Sequence, residues 1–239
     1  KNFYKNYLKI GLSGIIGGSG LGVAMITFIY SITNTSAAVT LLCLAAMPFF
    51  TALLAFLFLR ERISFNVWIS IILASIGILI MAIGNTGEKS LAGFIFGLTS
   101  SIGFSIFSVT LRWKKETPKF TTVAFSGLFC FIFASIVILI KDQVFFASSY
   151  NGSLFSLHGT LVCFGLILYS IGSKAIPAAE LTLLSLTEVV GGIFWVWLPI
   201  FGINEVPSTN TIIGGFFLFV SLIYYSLIMK WNKRYIALN

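Results

Sequence analysis

The chain runs to 239 residues, 58% hydrophobic and only 9% charged, with a mean hydropathy of +1.02. A soluble domain carries about 25% charged residues, so the composition excludes a water-soluble enzyme or binding module and marks an integral membrane protein. The formal net charge of +8 would suggest nucleic acid for a soluble chain; here it is read against the membrane, and no nucleic-acid partner is expected.

A helix needs roughly 20 apolar residues to cross a bilayer. Eight runs meet that length: roughly Ile10–Ile32, Ala37–Leu59, Phe65–Ile83, Leu91–Leu111, Phe120–Ile140, Leu154–Ile171, Ala178–Phe201 and Thr209–Ile228. The first holds Gly14, Gly18 and Gly22, a double GxxxG ladder read as a close-packing face. Thr27, Tyr30 and Asn34 form another face of the same run and are candidates to line a cavity. The second run carries Thr40, Cys43, Met47 and Thr51 on one face. Its Pro48 lacks a backbone donor and should kink the helix, freeing a carbonyl about one turn earlier. The fourth run places Gly97, Ser101, Ser105 and Ser108 in one stripe, which suits small-residue packing or a polar cavity wall. The sixth contains the sole histidine, His158, read as an interfacial residue near the outer surface.

The seventh run carries Glu188 near its middle, where a charge costs roughly 3 kcal/mol even on a mild insertion scale. Two accounts are open: a protonated carboxyl that glues helices together, or a group that handles a ligand or ion. Its face gathers Ser185, Glu188, Gly191, Gly192 and Trp195. That set is either a ligand wall or a packing surface built on the two glycines. Glu180 and Lys174, at the mouth of this helix, should snorkel or pair, with a gate salt bridge as the alternative.

Placed on alternating loops, thirteen of the fifteen Lys and Arg residues fall on one side: Lys1, Lys5, Lys9, Arg60, Arg62, Arg112, Lys114, Lys115, Lys119, Lys174, Lys230, Lys233 and Arg234. Only Lys89 and Lys141 fall on the other. This predicts a multi-pass protein of the plasma (inner) membrane with both ends of the chain in the cytoplasm. Cys43, Cys130 and Cys163 lie within apolar runs and lack metal-ligand spacing, so they read as small buried hydrophobes.

The chain repeats itself at an interval of about 140 residues. Ala37-Ala38 matches Ala178-Ala179, and Met47-Pro48 falls on Glu188-Val189. Glu61, Ser64 and Asn66 meet Glu205, Ser208 and Asn210, while Tyr30-Ser31-Ile32 resembles Tyr169-Ser170-Ile171. The interval spans five helices, an odd number, so the two copies have opposite orientations, as in many secondary transporters. The repeats are assigned to residues 1–84 and 85–239. The first copy holds three helices and the second five, so two more helices are expected ahead of Lys1.

The stretch MPFFTALLAFLFLRERISFNVWISIILASIGILIMAIG resembles the repeat core of the ten-helix, EamA-type branch of the drug/metabolite transporter superfamily. Pro48, Glu61 and Gly77 match in the first copy; Glu188, Glu205 and Gly214-Gly215 match in the second. Met47 stands where the first copy often has Glu, Val189 where the second often has Pro, and Arg60 where Gly usually precedes Glu61. The resemblance implies an all-α polytopic bundle that moves small polar metabolites such as amino acids.

The expected function is therefore secondary active transport, with the substrate between the repeats and no cofactor or metal. Glu188, Ser185, Trp195, Tyr30, Asn34, Thr40, Met47 and Tyr169 are the candidate substrate-binding residues. Pro48, Gly14, Gly18, Gly22, Gly191 and Gly192 are the structural ones. A proton is the candidate coupling ion, and monomer and homodimer are both open. The alternative is a non-transporting membrane scaffold or receptor. An enzyme is not expected: Gly11-Leu12-Ser13-Gly14 matches the GxSG string of rhomboid-type proteases, but the topology puts Ser13 and His158 on opposite membrane faces. No phosphate-binding loop for ATP is present.

Overall fold

The computed structural model describes residues 10–61, 63–83, 90–113, 117–142, 148–198 and 209–237. Among these residues every regular element is a helix: α1 (Gly11–Asn34), α2 (Ala37–Leu44), α3 (Met47–Leu54), α4 (Phe65–Ile83), α5 (Ser90–Trp113), α6 (Lys119–Ile140), α7 (Ser149–Gly172), α8 (Ala178–Trp197) and α9 (Thr209–Ala237). The protein is an all-α polytopic bundle. Helices α1, α5, α6 and α7 are long and apolar enough to cross a membrane. The 84/85 repeat boundary and Glu205 lie outside the described residues.

Between membrane helices there is little hydrophobic driving force, so close packing and hydrogen bonds hold the bundle. Two stripes of α1 show how. Along one, a Cβ on Gly18 would lie 2.5 Å from a Phe125 ring carbon and one on Gly22 would lie 2.4 Å from Phe129, so these glycines seat the aromatic face of α6. Gly14, the first rung of the predicted ladder, faces Thr122 and Thr117 of the same wall. Along the other stripe, a Cβ on Gly103 of α5 would lie 2.6 Å from the Gly20 carbonyl oxygen, and one on Gly20 would lie 2.9 Å from that of Gly103. The ladder is therefore two-sided: one side accepts α6 and the other meets α5 backbone to backbone.

The predicted second span is not one helix. Pro48, at the second position of α3, has no N–H to continue the ladder, and the chain breaks at Ala45-Ala46 into α2 and α3. Beyond α3 the helix loosens into a π turn over Ala55–Leu59. It ends at Arg60, held at φ 53° in the left-handed region, with the Glu61 N–H closing on the Ala55 carbonyl at 3.3 Å. A left-handed helix cap is glycine's position because any Cβ is crowded there. Arg60→Gly should therefore raise stability by about 1 kcal/mol, read as a thermal-melt increase in detergent; a lower melt would show that the Arg60 side chain outweighs its backbone strain.

The main core lies where α2 and α3 cross α8 and where α4 packs along α9. Ala52, Leu183, Leu186 and Leu218 are fully buried there, with Ile71, Val189 and Met47 beside them. Ser221 of α9 donates to the Ser70 carbonyl of α4 at 2.7 Å. Helix α7 differs: apart from its last turns it is exposed along most of its length.

Among the described residues, contacts gather at two ends of the bundle. One end joins Glu61, Arg112, Lys119, Ser173 and Ile176 through hydrogen bonds. At the other, Ser31 donates to the Gly93 carbonyl at 2.8 Å and the Lys141 ammonium lies 6.0 Å from the Tyr30 ring centroid.

Candidate functional site

The break between α2 and α3 is surrounded by hydroxyls. Ser101 of α5 donates to the Cys43 carbonyl, and Ser105 to the Met47 carbonyl at 3.1 Å. The Cys43 carbonyl also accepts the Ala46 N–H at 3.1 Å, so Ser101 adds a second bond at the break, and the two serines tie α5 to the chain on both sides of it. The serine stripe of α5 is thus a packing and capping surface. Gly97 extends it, with Cys43 so close that a Cβ would sit 2.7 Å from the Cys43 Cβ. Lower on the same face, Ser108 hydrogen-bonds the Tyr169 hydroxyl at 2.7 Å.

The predicted site residues fall into three places. Thr40 is fully buried, hydrogen-bonded to Ser31 at 2.9 Å, and Met47 lies in the main core. Tyr169 is held by Ser108 and by ring contacts with Phe104 and Phe107 at 5.1 and 6.1 Å. These three serve the packing around α5 and the broken helix. Tyr30 and Asn34 lie at the opposite end of the molecule from Arg112. Asn34 is exposed and donates to the Tyr30 carbonyl one turn back at 2.7 Å, while Tyr30 packs 5.4 Å from Phe96.

The remaining three share α8. Its core face carries Ala179, Leu183, Leu186 and Val189. On the other side Glu188 and Trp195 are exposed, and Ser185 is half-buried with its hydroxyl donating to the Thr182 carbonyl at 2.7 Å. Glu188 makes no hydrogen bond or ion pair among the described residues. Of the two glycines, one packs as a structural glycine and the other does not. Gly192 seats Leu41, whose Cδ1 would lie 2.9 Å from an added Cβ, but Gly191 faces open space. The α8 face is thus an open wall with a carboxylate at its centre and bare backbone one turn away.

Other expectations are redirected. Glu180 accepts from the Tyr225 hydroxyl of α9 at 2.6 Å and pairs with no lysine among the described residues. Ser13 shares a hydrogen bond with Thr117, and His158 is exposed on α7. The ion pair at the molecule's end is Arg112 with Glu61, 2.7 Å apart. Sequence reading had used Arg112 only for topology, and Glu61 only as a repeat marker.

Residues 1–83, which include the broken helix, the left-handed turn and Gly77, match the EamA-like transporter family. Over that first third the chain is similar to EamA-type membrane transporters. Over 234 residues it is 26% identical to an uncharacterized transporter of Clostridium kluyveri, covering 93% of this chain and 73% of that protein. An uncharacterized transporter of Helicobacter pylori is 27% identical over 110 residues, 46% of this chain and 36% of that one. A solved crystal structure superposes on 90% of this chain and 76% of its own with a TM-score of 0.66 at 17% identity, which bears on the fold.

Proposed function

We propose that this protein is an EamA-type transporter, a secondary active carrier of small polar metabolites, amino acids among them, and that its substrate meets the α8 face of Ser185, Glu188 and Trp195. The observation that carries the reading is Glu188. It is a carboxylate at the middle of an apolar helix, exposed beside the open Gly191 backbone and without a partner among the described residues. Facing hydrocarbon, it would cost several kcal/mol; facing an aqueous path, it can bind a substrate ammonium group or a proton.

The mechanism we propose uses the two inverted repeats read from the sequence. Under the proposed symmetry α2–α3 corresponds to α8, α4 to α9 and α1 to α7. Corresponding helices do meet: Leu41 of α2 packs on Gly192 of α8, and Gly77 of α4 packs on the Gly214 carbonyl of α9. Such contacts fit a two-fold axis through the core, about which alternating access would be a rocking of one repeat against the other. Helix α7 leaves Leu157, Leu161, Phe164 and Leu168 exposed. The basic end, with Arg60, Arg112 and Lys174, is placed in the cytoplasm of a plasma-membrane protein.

The test is a counterflow screen of amino acids and related metabolites with the full-length protein in proteoliposomes. Saturable exchange of at least one such solute is expected. A sealed, correctly folded preparation that exchanges none of them would remove the carrier reading and favour a scaffold or receptor.

A further inference from the structure

At the basic end one guanidinium ties three segments together. Arg112, in the last turn of α5, donates through Nε to Glu61 Oε1 at 2.7 Å. Through Nη1 it donates to the carbonyls of Ser173 and Ile176, at 3.2 and 2.8 Å. Lys119 braces the same turn by donating to the Ser173 hydroxyl at 2.8 Å. Glu61 belongs to the first repeat and the other groups to the second, so the ion pair is a bond between the two.

Beneath it the wall is dry. Ala55 of the π turn, Val109 of α5 and Ala178 at the start of α8 form a buried apolar cluster with Leu54 and Leu59 packed against it. Farther along α8 the character changes: Glu188 and Trp195 are exposed and Gly191 faces open space. Apolar side chains thus pack against α8 at the basic end, while the far half of α8 is exposed.

We infer that the Arg112–Glu61 pair is a latch that holds the basic end shut and parts when that end opens. The inference rests on the carrier reading above, since only a protein whose repeats move needs a latch. The geometry suits release. The two side chains are 26% and 23% exposed, so water can solvate both groups once they separate, unlike a deeply buried pair. Arg112 keeps its two carbonyl acceptors within the second repeat and is not left bare. The moving half is Glu61, carried on a left-handed residue and a π turn, a helix distortion that occurs frequently at functional sites. The alanines of the plug present small side chains that can withdraw without leaving large cavities.

The experiment places a single cysteine at Ser185 in the full-length protein, with Cys43, Cys130 and Cys163 replaced by alanine. Labelling by a membrane-impermeant maleimide is then compared in inverted vesicles and in intact cells, with and without Glu61→Gln. The glutamine retains the size and can still accept a hydrogen bond, so folding should persist, which an unchanged melting profile verifies. The latch predicts labelling roughly tenfold faster from the basic face and slower from the opposite face, with Glu61→Asp closer to wild type. Labelling unchanged within about twofold, or faster from both faces together, overturns it. Counterflow measured in parallel on vesicles that keep Ser185, with and without Glu61→Gln, separates the two ideas. Unchanged labelling with intact counterflow sinks the latch alone, whereas a one-sided labelling change without any counterflow sinks the carrier reading and leaves a two-state gate.

Discussion

Glu188→Gln in the full-length protein should reduce pH-gradient-driven accumulation to the level of empty vesicles while sparing exchange of substrate at equal concentrations. The glutamine preserves the size of the side chain and most of its hydrogen-bonding capacity, so packing on α8 should not change. It removes the ability to gain and lose a proton, and with it the negative charge that a substrate cation would neutralise. No described residue bonds Glu188, so no neighbour should take over its role. Glu180→Gln is the control. Glu180 accepts from the Tyr225 hydroxyl, a bond glutamine can still accept, so transport should persist with a stability loss of no more than about 1 kcal/mol. If Glu188→Gln accumulates substrate against its gradient as the wild type does, the carboxyl is packing glue and the coupling assignment is wrong.

Gly103→Val should have the largest effect on stability. Its Cβ would stand 2.6 Å from the Gly20 carbonyl oxygen and 3.0 Å from the Ala24 amide nitrogen, both backbone atoms. No rotamer change relieves such a contact; the α1 and α5 axes must separate. Overpacking costs typically 1–3 kcal/mol even where side chains can yield, so about 3 kcal/mol is expected here, with a melting temperature lower by roughly 6–12 °C in detergent. Gly127→Ala, where no atom lies within 4 Å of the added carbon, should melt at or slightly above wild type. Equal melting of Gly103→Val and wild type would mean that the α1–α5 interface is looser than described.

Much of the fold was legible because membrane helices are long and their polar interruptions few. The starts of α4 at Phe65 and α8 at Ala178 fall where the apolar runs begin. The glycine ladder of α1 also announced close packing, but its spacing within one helix could not name the partners. Gly14, Gly18 and Gly22 were visible as a ladder, whereas Gly20 acquires its meaning only from Gly103, far along the chain. Pro48 signalled a distortion, yet the break at Ala45-Ala46 and the bonds of Ser101 and Ser105 to the carbonyls on either side of it appear only in the fold. Their spacing was readable; their acceptors were not.

The candidate site was legible on α8 and less so elsewhere. Glu188, Ser185 and Trp195 share one exposed or half-buried face because helical periodicity brings them together. Thr40, Met47 and Tyr169 were chosen on polarity, size and repeat position, and the structure places them in packing and hydrogen-bond contacts. The Arg112–Glu61 pair was missed for another reason. The repeat and the charge alternation each explained one member, so nothing in the sequence called for the two to be joined.

The central claim is that transported substrate occupies the α8 face, and protection of a cysteine on that face tests it most directly. With Ser185→Cys in the full-length, otherwise cysteine-free protein, a transported solute should slow maleimide labelling, with half-protection at the concentration that half-saturates counterflow. A solute that is not transported should leave labelling unchanged. Saturable counterflow through this variant, with labelling at residue 185 unaffected by the solute it carries, would contradict the account.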